Sequence, residues 1–266
     1  MAGTAVVTGA SSGIGRRYAE QLASNGMDLV LIARRADRLD EVKRDLGKYR
    51  VGVRTIVADL GKGEDVQRLA SEFAAMSIEL LVNNAALAHY MPFVELSAAR
   101  ARELVDLNVV APLLLTRAVL PAMVEQGHGA VINVASLLAF SGAARAPHLP
   151  KRAVYAATKA FLVTFTQILA AELEGTGVTV QVVCPGIVRT EFHTRQGIDL
   201  GEVPRMEPEQ IVAASLQDLE RGVIVSIPAL ADESVKTRFD DAALALLAPA
   251  RSAELPQRYG TRGTRR

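Results

Sequence analysis

The feature that most constrains this chain is an alternation. Short β-prone apolar runs are followed, one after another, by stretches whose apolar residues recur at helical spacing. The runs are Thr4–Thr8, Asp28–Ala33, Val51–Ala58, Leu80–Val82, Ala130–Ala135, Val178–Val183 and Val223–Ile227. Helical patterns run from the glycine-rich turn to Ala23, over Asp37–Leu46 and Glu64–Ala75, and from Ser97 as N-cap to Leu107. Another continues toward Gln126 with a bend expected at Pro112, and one covers the segment around Tyr155 to Glu174. Pro208, suited to a first helical turn, opens a helix that ends at Arg221 before Gly222, and Asp232–Leu247 again has helical spacing. Strands joined by helical crossovers pair in parallel, with a right-handed connection. The alternation therefore predicts an α/β fold: a doubly wound parallel sheet of about seven strands with helices on both faces.

No Gly/Ser/Pro-rich linker or long repeat divides the chain, so residues 1–248 are expected to form one domain, with an irregular segment at about 189–206. The remainder, 249–266, carries five arginines and one glutamate and is expected to be flexible. A composition that is 50% hydrophobic can cover both faces of such a sheet, and a net charge of +1 gives no electrostatic drive toward nucleic acid or an anionic membrane. Cys184 is the only cysteine, which excludes an intrachain disulfide and a cysteine metal cluster and fits a reducing compartment. The N-terminus lacks the features of a signal peptide, and apolar windows such as Leu107–Leu115 are short and broken by Asn108 and Pro112. The expectation is a soluble cytoplasmic protein.

The first run leads into Gly9-Ala10-Ser11-Ser12-Gly13-Ile14-Gly15 and then a helix, the order that sets a phosphate on a helix N-terminus. Gly9 permits the tight turn, Gly13 lets backbone approach a pyrophosphate, and Gly15 lets the helix pack on the strand. A carboxylate about 20 residues further on would hold the ribose hydroxyls of NAD. Ala33 and Arg34 occupy that region instead, Arg35 follows, and Arg16 comes directly after the last glycine. A guanidinium pairs with phosphate through a planar fork, so these residues suit the 2′-phosphate of NADP. The other reading is that Arg34, Arg35 and Arg38 solvate a helix start, where the helix dipole disfavours cations.

Tyr155-Ala-Ala-Thr-Lys159 places a phenol and an ammonium on one helix face. A nearby positive charge favours the phenolate and lowers a tyrosine pKa from about 10. Tyr and Lys also meet at this spacing on many solvated helices, so the pair needs company. It has some: Thr8-Gly9-x-x-x-Gly13-x-Gly15, Asp59-Leu60, Asn83-Asn84-Ala85, Asn108, Ser136, Tyr155-x-x-x-Lys159 and Pro185-Gly186-Ile187-Val188-Arg189-Thr190 occur in one order. Together they resemble the short-chain dehydrogenase/reductase family across nearly the whole chain.

The resemblance implies a single-domain Rossmann-type fold and an NADP(H)-dependent oxidoreductase acting on CH–OH and C=O groups. Ser136 and Tyr155 would hydrogen-bond the substrate oxygen, Ser136 stabilising its charge and Tyr155 serving as general acid or base. Lys159 would lower the Tyr155 pKa and hold nicotinamide ribose, and Asn108 would hold a water linking Lys159 to solvent. It also implies cofactor contacts from Gly9, Ser11, Ser12, Gly13, Ile14, Gly15, Arg34, Arg35, Asp59, Leu60, Asn83, Ala85, Pro185, Gly186, Val188 and Thr190. Homodimers or homotetramers through helices around 98–126 and 153–174 are the family's usual assemblies.

Two departures stand out. Ala86 sits where the family often has glycine, and the connection from Ser136 to Tyr155 is long, its extra residues lying in Ala143–Arg152 with Pro147, His148 and Pro150. A substrate pocket is expected from Leu87–Tyr90, Leu137–Phe140, His148, Leu149 and Arg189–Met206, mostly apolar and suited to an uncharged carbonyl compound or secondary alcohol. His89, His148 and His193 show no metal-ligand spacing. The rival readings are an NADP(H)-binding regulator or scaffold without turnover, and a different Rossmann-like enzyme such as a nucleotide-binding transferase.

Overall fold

The structure, a computed structural model, describes residues 3–144, 149–251 and 256. Its strands are β1 (Thr4–Thr8), β2 (Asp28–Ala33), β3 (Val53–Val57), β4 (Leu80–Asn83), β5 (Gly129–Val134), β6 (Val178–Val183) and β7 (Val225–Ser226). They form one sheet in the order β3-β2-β1-β4-β5-β6-β7, with every pairing parallel. The central runs are buried on both faces, which is why they read as continuous apolar segments. The two edge strands are shorter than the sequence pattern suggests. β7 pairs on one side only, and the backbone before β3 turns at Arg50, a non-glycine residue with φ of 35°.

The helices are α1 (Gly13–Ser24), α2 (Ala36–Leu46), α3 (Gly63–Phe73), α4 (Ala98–Val105), α5 (Ala111–Gln126), α6 (Ala153–Glu172), α7 (Phe192–Arg195) and α8 (Pro208–Glu220). Alternate side chains of each strand feed two apolar layers. Val6, Val30 and Leu81 join Phe73, Leu115 and Leu169 on one face, while Val7, Leu31 and Val82 join Tyr18, Leu39 and Ile211 on the other. Buried polar groups tie the helices to the sheet. Asn83 Nδ2 donates to Thr116 and Asn133 at 3.0 Å each, Asn133 Nδ2 reaches Thr166 at 2.9 Å, and Tyr18, Ser215 and Gln181 form a chain of 2.6 Å bonds.

Ser97 caps α4 by accepting from Arg100 N, as its position predicts. The bend expected at Pro112 is a π turn over Asp106–Val110 just before it, in which the Ala111 N–H bonds Asp106 O five residues back. Pro112 has no N–H, so the Asn108 carbonyl lacks an α-helical donor four residues on. Two helical runs, Ala98–Gln126 with mean hydropathy 1.7 and Ala153–Glu172 with 1.4, are long and apolar enough to cross a membrane, longer than the sequence windows suggested. Both lay a face on the sheet, through Leu115, Val119 and Met123 and through Leu162, Val163 and Leu169.

Met1–Pro228 is one compact unit and holds the entire sheet; Ala229–Arg266 is a second. The division falls at Pro228, ahead of the expected boundary at 248. The second unit contains α9 (Ser234–Ala245), in which Lys236 pairs with Asp240. Most of the tail expected to be flexible lies outside the described residues.

A Cβ on Gly15 would stand 2.4 Å from Asn84 Nδ2 and 2.5 Å from the Gly9 carbonyl, whereas one on Gly63, at the start of α3, would meet nothing within 4 Å. Gly15→Ala is expected to destabilise the fold by about 1–3 kcal/mol in urea unfolding, and Gly63→Ala to leave it unchanged or slightly stabilise it. Equal losses would contradict this packing.

Candidate active site

The sheet reverses its winding between β1 and β4, and a crevice opens there at the carboxyl ends of the strands. It is a cleft of about 440 Å³. Gly9, Ser11, Ser12, Gly13, Ile14, Arg34, Arg35, Asp59, Leu60, Ala85, Ser136, Tyr155, Lys159, Pro185, Gly186, Val188 and Thr190 all line it. Segments leaving six strand ends, together with the start of α6, therefore bring most of the residues singled out from the sequence to one place.

The floor is set by the glycine turn. Gly9 and Gly13 have φ of 66° and 55°, and a Cβ on Gly13 would come 3.0 Å from Thr190 Cγ2. The Thr8 hydroxyl donates to Val82 O at 3.2 Å and accepts from Asn84 N at 2.9 Å and Ala85 N at 3.0 Å, joining β1 to the end of β4. Ser12 is the N-cap of α1 but makes no capping bond. Its Oγ and that of Ser11 accept from Arg35 Nη2 at 3.3 and 3.1 Å instead. Free first-turn N–H groups, two hydroxyls and a guanidinium form a cradle of donors that fits a dinucleotide's phosphates. Arg34 is exposed at its edge. Asp59 lines the same end, with Oδ1 accepting from Gly61 N at 3.1 Å.

Four expectations need correction. Arg16 is held away from phosphate by Glu20, Glu41 and Asp45. Gly15 does not line the cleft, because it packs α1 against Gly9 and Asn84. The Asn83 side chain points into the buried network below the strand end, and its neighbours Asn84 and Ala85 line the cleft in its place. Asn108 is also outside the cleft and 1% exposed. Its Oδ1 accepts from Leu87 N at 3.1 Å, and its Nδ2 donates to Leu87 O at 3.0 Å and Thr158 Oγ1 at 3.1 Å. Thr158 in turn bonds the Tyr155 carbonyl at 2.8 Å, so Asn108 braces the turn that carries Tyr155.

Tyr155 and Lys159 stand in the first turns of α6 and are 5% and 2% exposed. Lys159 Nζ donates to the Val134 carbonyl at 2.8 Å and lies 5.9 Å from the Tyr155 ring centre. Burial lowers its pKa to about 8, the nearby Cys184 pulling the other way. Burial also dominates Tyr155, raising its pKa to about 12 against hydrogen bonds from Ser136 and Tyr90 that lower it. The expected depression of Tyr155 by Lys159 is not found: burial sets the direction of the shift, and the ammonium is turned onto the Val134 carbonyl. A buried phenol in this state is protonated at neutral pH and can donate. Ser136 opens a 3₁₀ turn over Leu137–Phe140, its Oγ accepting from Leu138 N at 3.2 Å.

The other wall comes from Leu87, Leu107, Phe192 and His193, with the His89–Glu103 pair at 3.2 Å and Arg195 and Gln196. Tyr90 meets the Tyr155 ring edge-on at 5.4 Å, and Phe192 lies 6.2 Å from it. Leu137–Phe140 and Leu149 do not line the cleft, and His148 and Pro147 lie outside the described residues. Arg152 draws the described ends of the long connection together through Ser141, Pro150 and Ala144. Residues 189–206 leave from a bridge between Val188 and Met206 and include α7, a helix that the polar composition hid. Ala33 and Ala86 also line the cleft, as do Ile32, Ala58, Val134 and Ala135, which as apolar residues at strand ends carry no motif signal.

Spectrophotometric titration of the chain against Tyr155→Phe should show no phenolate signal from Tyr155 through pH 10, because its pKa stands near 12. Ionisation at or below pH 8 would mean that charge, not burial, governs this phenol.

Comparison with known proteins bears on the same residues. The short chain dehydrogenase family pattern matches residues 3–200. A human very-long-chain 3-oxoacyl-CoA reductase is 36% identical over 193 residues, covering 71% of this chain and 60% of that protein, so the chain matches well under the full length of this relative. A short-chain dehydrogenase from Sphingobium yanoikuyae, solved in complex with NADPH, superimposes with a TM-score of 0.90 at 37% identity, covering 96% of this chain and 99% of the other. A bulky-bulky ketone specific alcohol dehydrogenase from Comamonas testosteroni gives 0.86 at 34% identity, covering 96% and 98%.

Proposed function

The chain belongs to the short-chain dehydrogenase family, and from that premise we propose that it is an NADP(H)-dependent oxidoreductase. It would move hydride between nicotinamide and an uncharged, apolar ketone or aldehyde, or the corresponding secondary alcohol. The observation that carries this reading is the buried, protonated Tyr155 beside Ser136 and Lys159, in one cleft with the donor cradle of α1, Ser11, Ser12, Arg34 and Arg35. NADPH, when bound, supplies the hydride. Arg34 and Arg35 would hold its 2′-phosphate, and Thr190 and Lys159 its nicotinamide end.

The chain's own part is electrostatic and protonic. Ser136 and Tyr155 hydrogen-bond the carbonyl oxygen, Ser136 stabilising the charge that grows there and Tyr155 delivering its proton. Lys159 would then restore that proton from solvent. Tyr155, protonated at neutral pH, is in the state that carbonyl reduction requires. Oxidation, which needs the phenolate, should accelerate as pH rises toward 12.

Leu87, Leu107 and Phe192 support an apolar substrate. The names of two relatives point to ketonic carbonyls, one of them bulky. The proposal extends to a soluble, cytoplasmic homo-oligomer. The cytoplasmic reading is supported by a single, buried cysteine, and the homo-oligomer by Ile168, Val124 and Val105 exposed on α6, α5 and α4. The segment 189–206 is proposed to close over substrate.

The test is fluorescence titration with NADPH and NADH, followed by turnover of a panel of apolar ketones. Tyr155→Phe should cut kcat by about 10²–10⁴-fold while leaving the NADPH Kd within about twofold. Undiminished turnover in that variant would remove Tyr155 from the chemistry. Tight NADPH binding without turnover in the unaltered protein would favour a binder that keeps the fold.

A further inference from the structure

We propose that Glu191 competes with the 2′-phosphate of the cofactor for Arg35, making the segment that begins at Thr190 a sensor of which nicotinamide cofactor is bound. The inference rests on the NADP(H) reading and adds a residue that no motif singles out.

Arg35 is the N-cap residue of α2, at the exit of β2, and its guanidinium faces two ways. One arm, Nη2, is held by the hydroxyls of Ser11 and Ser12 in the glycine turn. The other, Nη1, lies 3.6 Å from Glu191 Oε2. Glu191 is the N-cap residue of α7 and sits next to Thr190, whose methyl approaches Gly13 across the cleft. The ion pair therefore bridges the phosphate cradle and the 189–206 segment, elements more than 150 residues apart in sequence.

Two anions cannot share that arm at low cost. A 2′-phosphate seated on Arg35, Ser11 and Ser12 carries up to two negative charges against the Glu191 carboxylate, and like charges at short range repel. Glu191 has somewhere to go, since its carboxylate already pairs with Arg195 one turn along α7. Phosphate binding then transfers Glu191 wholly to Arg195 and cuts the tie between the segment and the glycine turn. A cofactor without the 2′-phosphate leaves the tie intact. By linkage, the tie must weaken binding of the phosphorylated cofactor by the factor with which the phosphate breaks it. Both side chains are partly exposed, 35% for Arg35 and 49% for Glu191, so the effect is small and sensitive to salt.

The experiment uses the full chain and four ligands: NADP+, NAD+, 2′,5′-ADP and 5′-AMP. Glu191→Gln should tighten NADP+ and 2′,5′-ADP by about two- to fivefold and leave NAD+ and 5′-AMP unchanged, with the gain fading in high salt. Glu207→Gln, which removes a carboxylate paired with Arg189 at the base of the same segment, should shift none of the four. Amide exchange across 189–206 should speed up when 2′,5′-ADP binds the unaltered protein, and show no such change in Glu191→Gln. An equal gain for NAD+, or no gain for NADP+, would overturn the competition. If the unaltered protein binds 2′,5′-ADP no better than 5′-AMP, the NADP(H) reading fails and takes the competition with it. If that preference is present and Glu191→Gln leaves it unchanged, the competition alone fails.

Discussion

One buried hydroxyl ties the exits of the two central strands together beyond the end of their backbone ladder. Thr8, 1% exposed at the end of β1, donates to the Val82 carbonyl and accepts from the Asn84 and Ala85 amides. Those strands are neighbours at the point where the sheet reverses its winding, so their ends would otherwise splay to form the mouth of the crevice. With the tie made, Gly9 and Asn84 pack too closely for any side chain on Gly9 or Gly15. The glycine turn is then fixed against the β4 exit, and α1 aims its open N-terminus into the cleft.

The chemical end of the cleft follows from burial. Tyr155 and Lys159 are carried on a long apolar helix pressed against β5 and β6, and removal from water disfavours the charged form of each. The result is a neutral phenol and an ammonium whose pKa is brought down toward neutrality, a pair arranged to pass a proton outward. Asn108 contributes by bracing the turn that carries Tyr155. The π turn and Pro112 interrupt the hydrogen-bond ladder beside it, and its side chain locks Leu87 and the Thr158 turn beneath Tyr155.

Much of this was legible in the sequence because strand and helix periodicities differ and because glycine and proline mark the junctions. All seven strands and most of the cleft's residues follow from those patterns and the family resemblance. What the sequence could not show is where a particular side chain points. Asn83 and Asn84 are adjacent, yet strand alternation sends one into the core and the other to the cleft. Arg16 and Arg35 look alike as candidates for a phosphate, but Arg16 faces Glu20, Glu41 and Asp45 across α1 and α2 while Arg35 faces two serines. The balance between burial and charge at Tyr155 was also hidden, since spacing reports proximity to Lys159 and says nothing of how dry the site is. Edge strands were read too long because apolar composition does not reveal the lack of a second neighbour.

The central claim is that this cleft carries hydride from a nicotinamide to a carbonyl carbon while Tyr155 supplies the proton. Turnover of an apolar ketone with NADPH carrying deuterium at both C4 positions of the nicotinamide tests it most directly, read by mass and NMR analysis of the product alcohol. The account predicts deuterium on the carbinol carbon, and a turnover rate that Tyr155→Phe cuts by about 10²–10⁴-fold. Product alcohol without the label on carbon would contradict it.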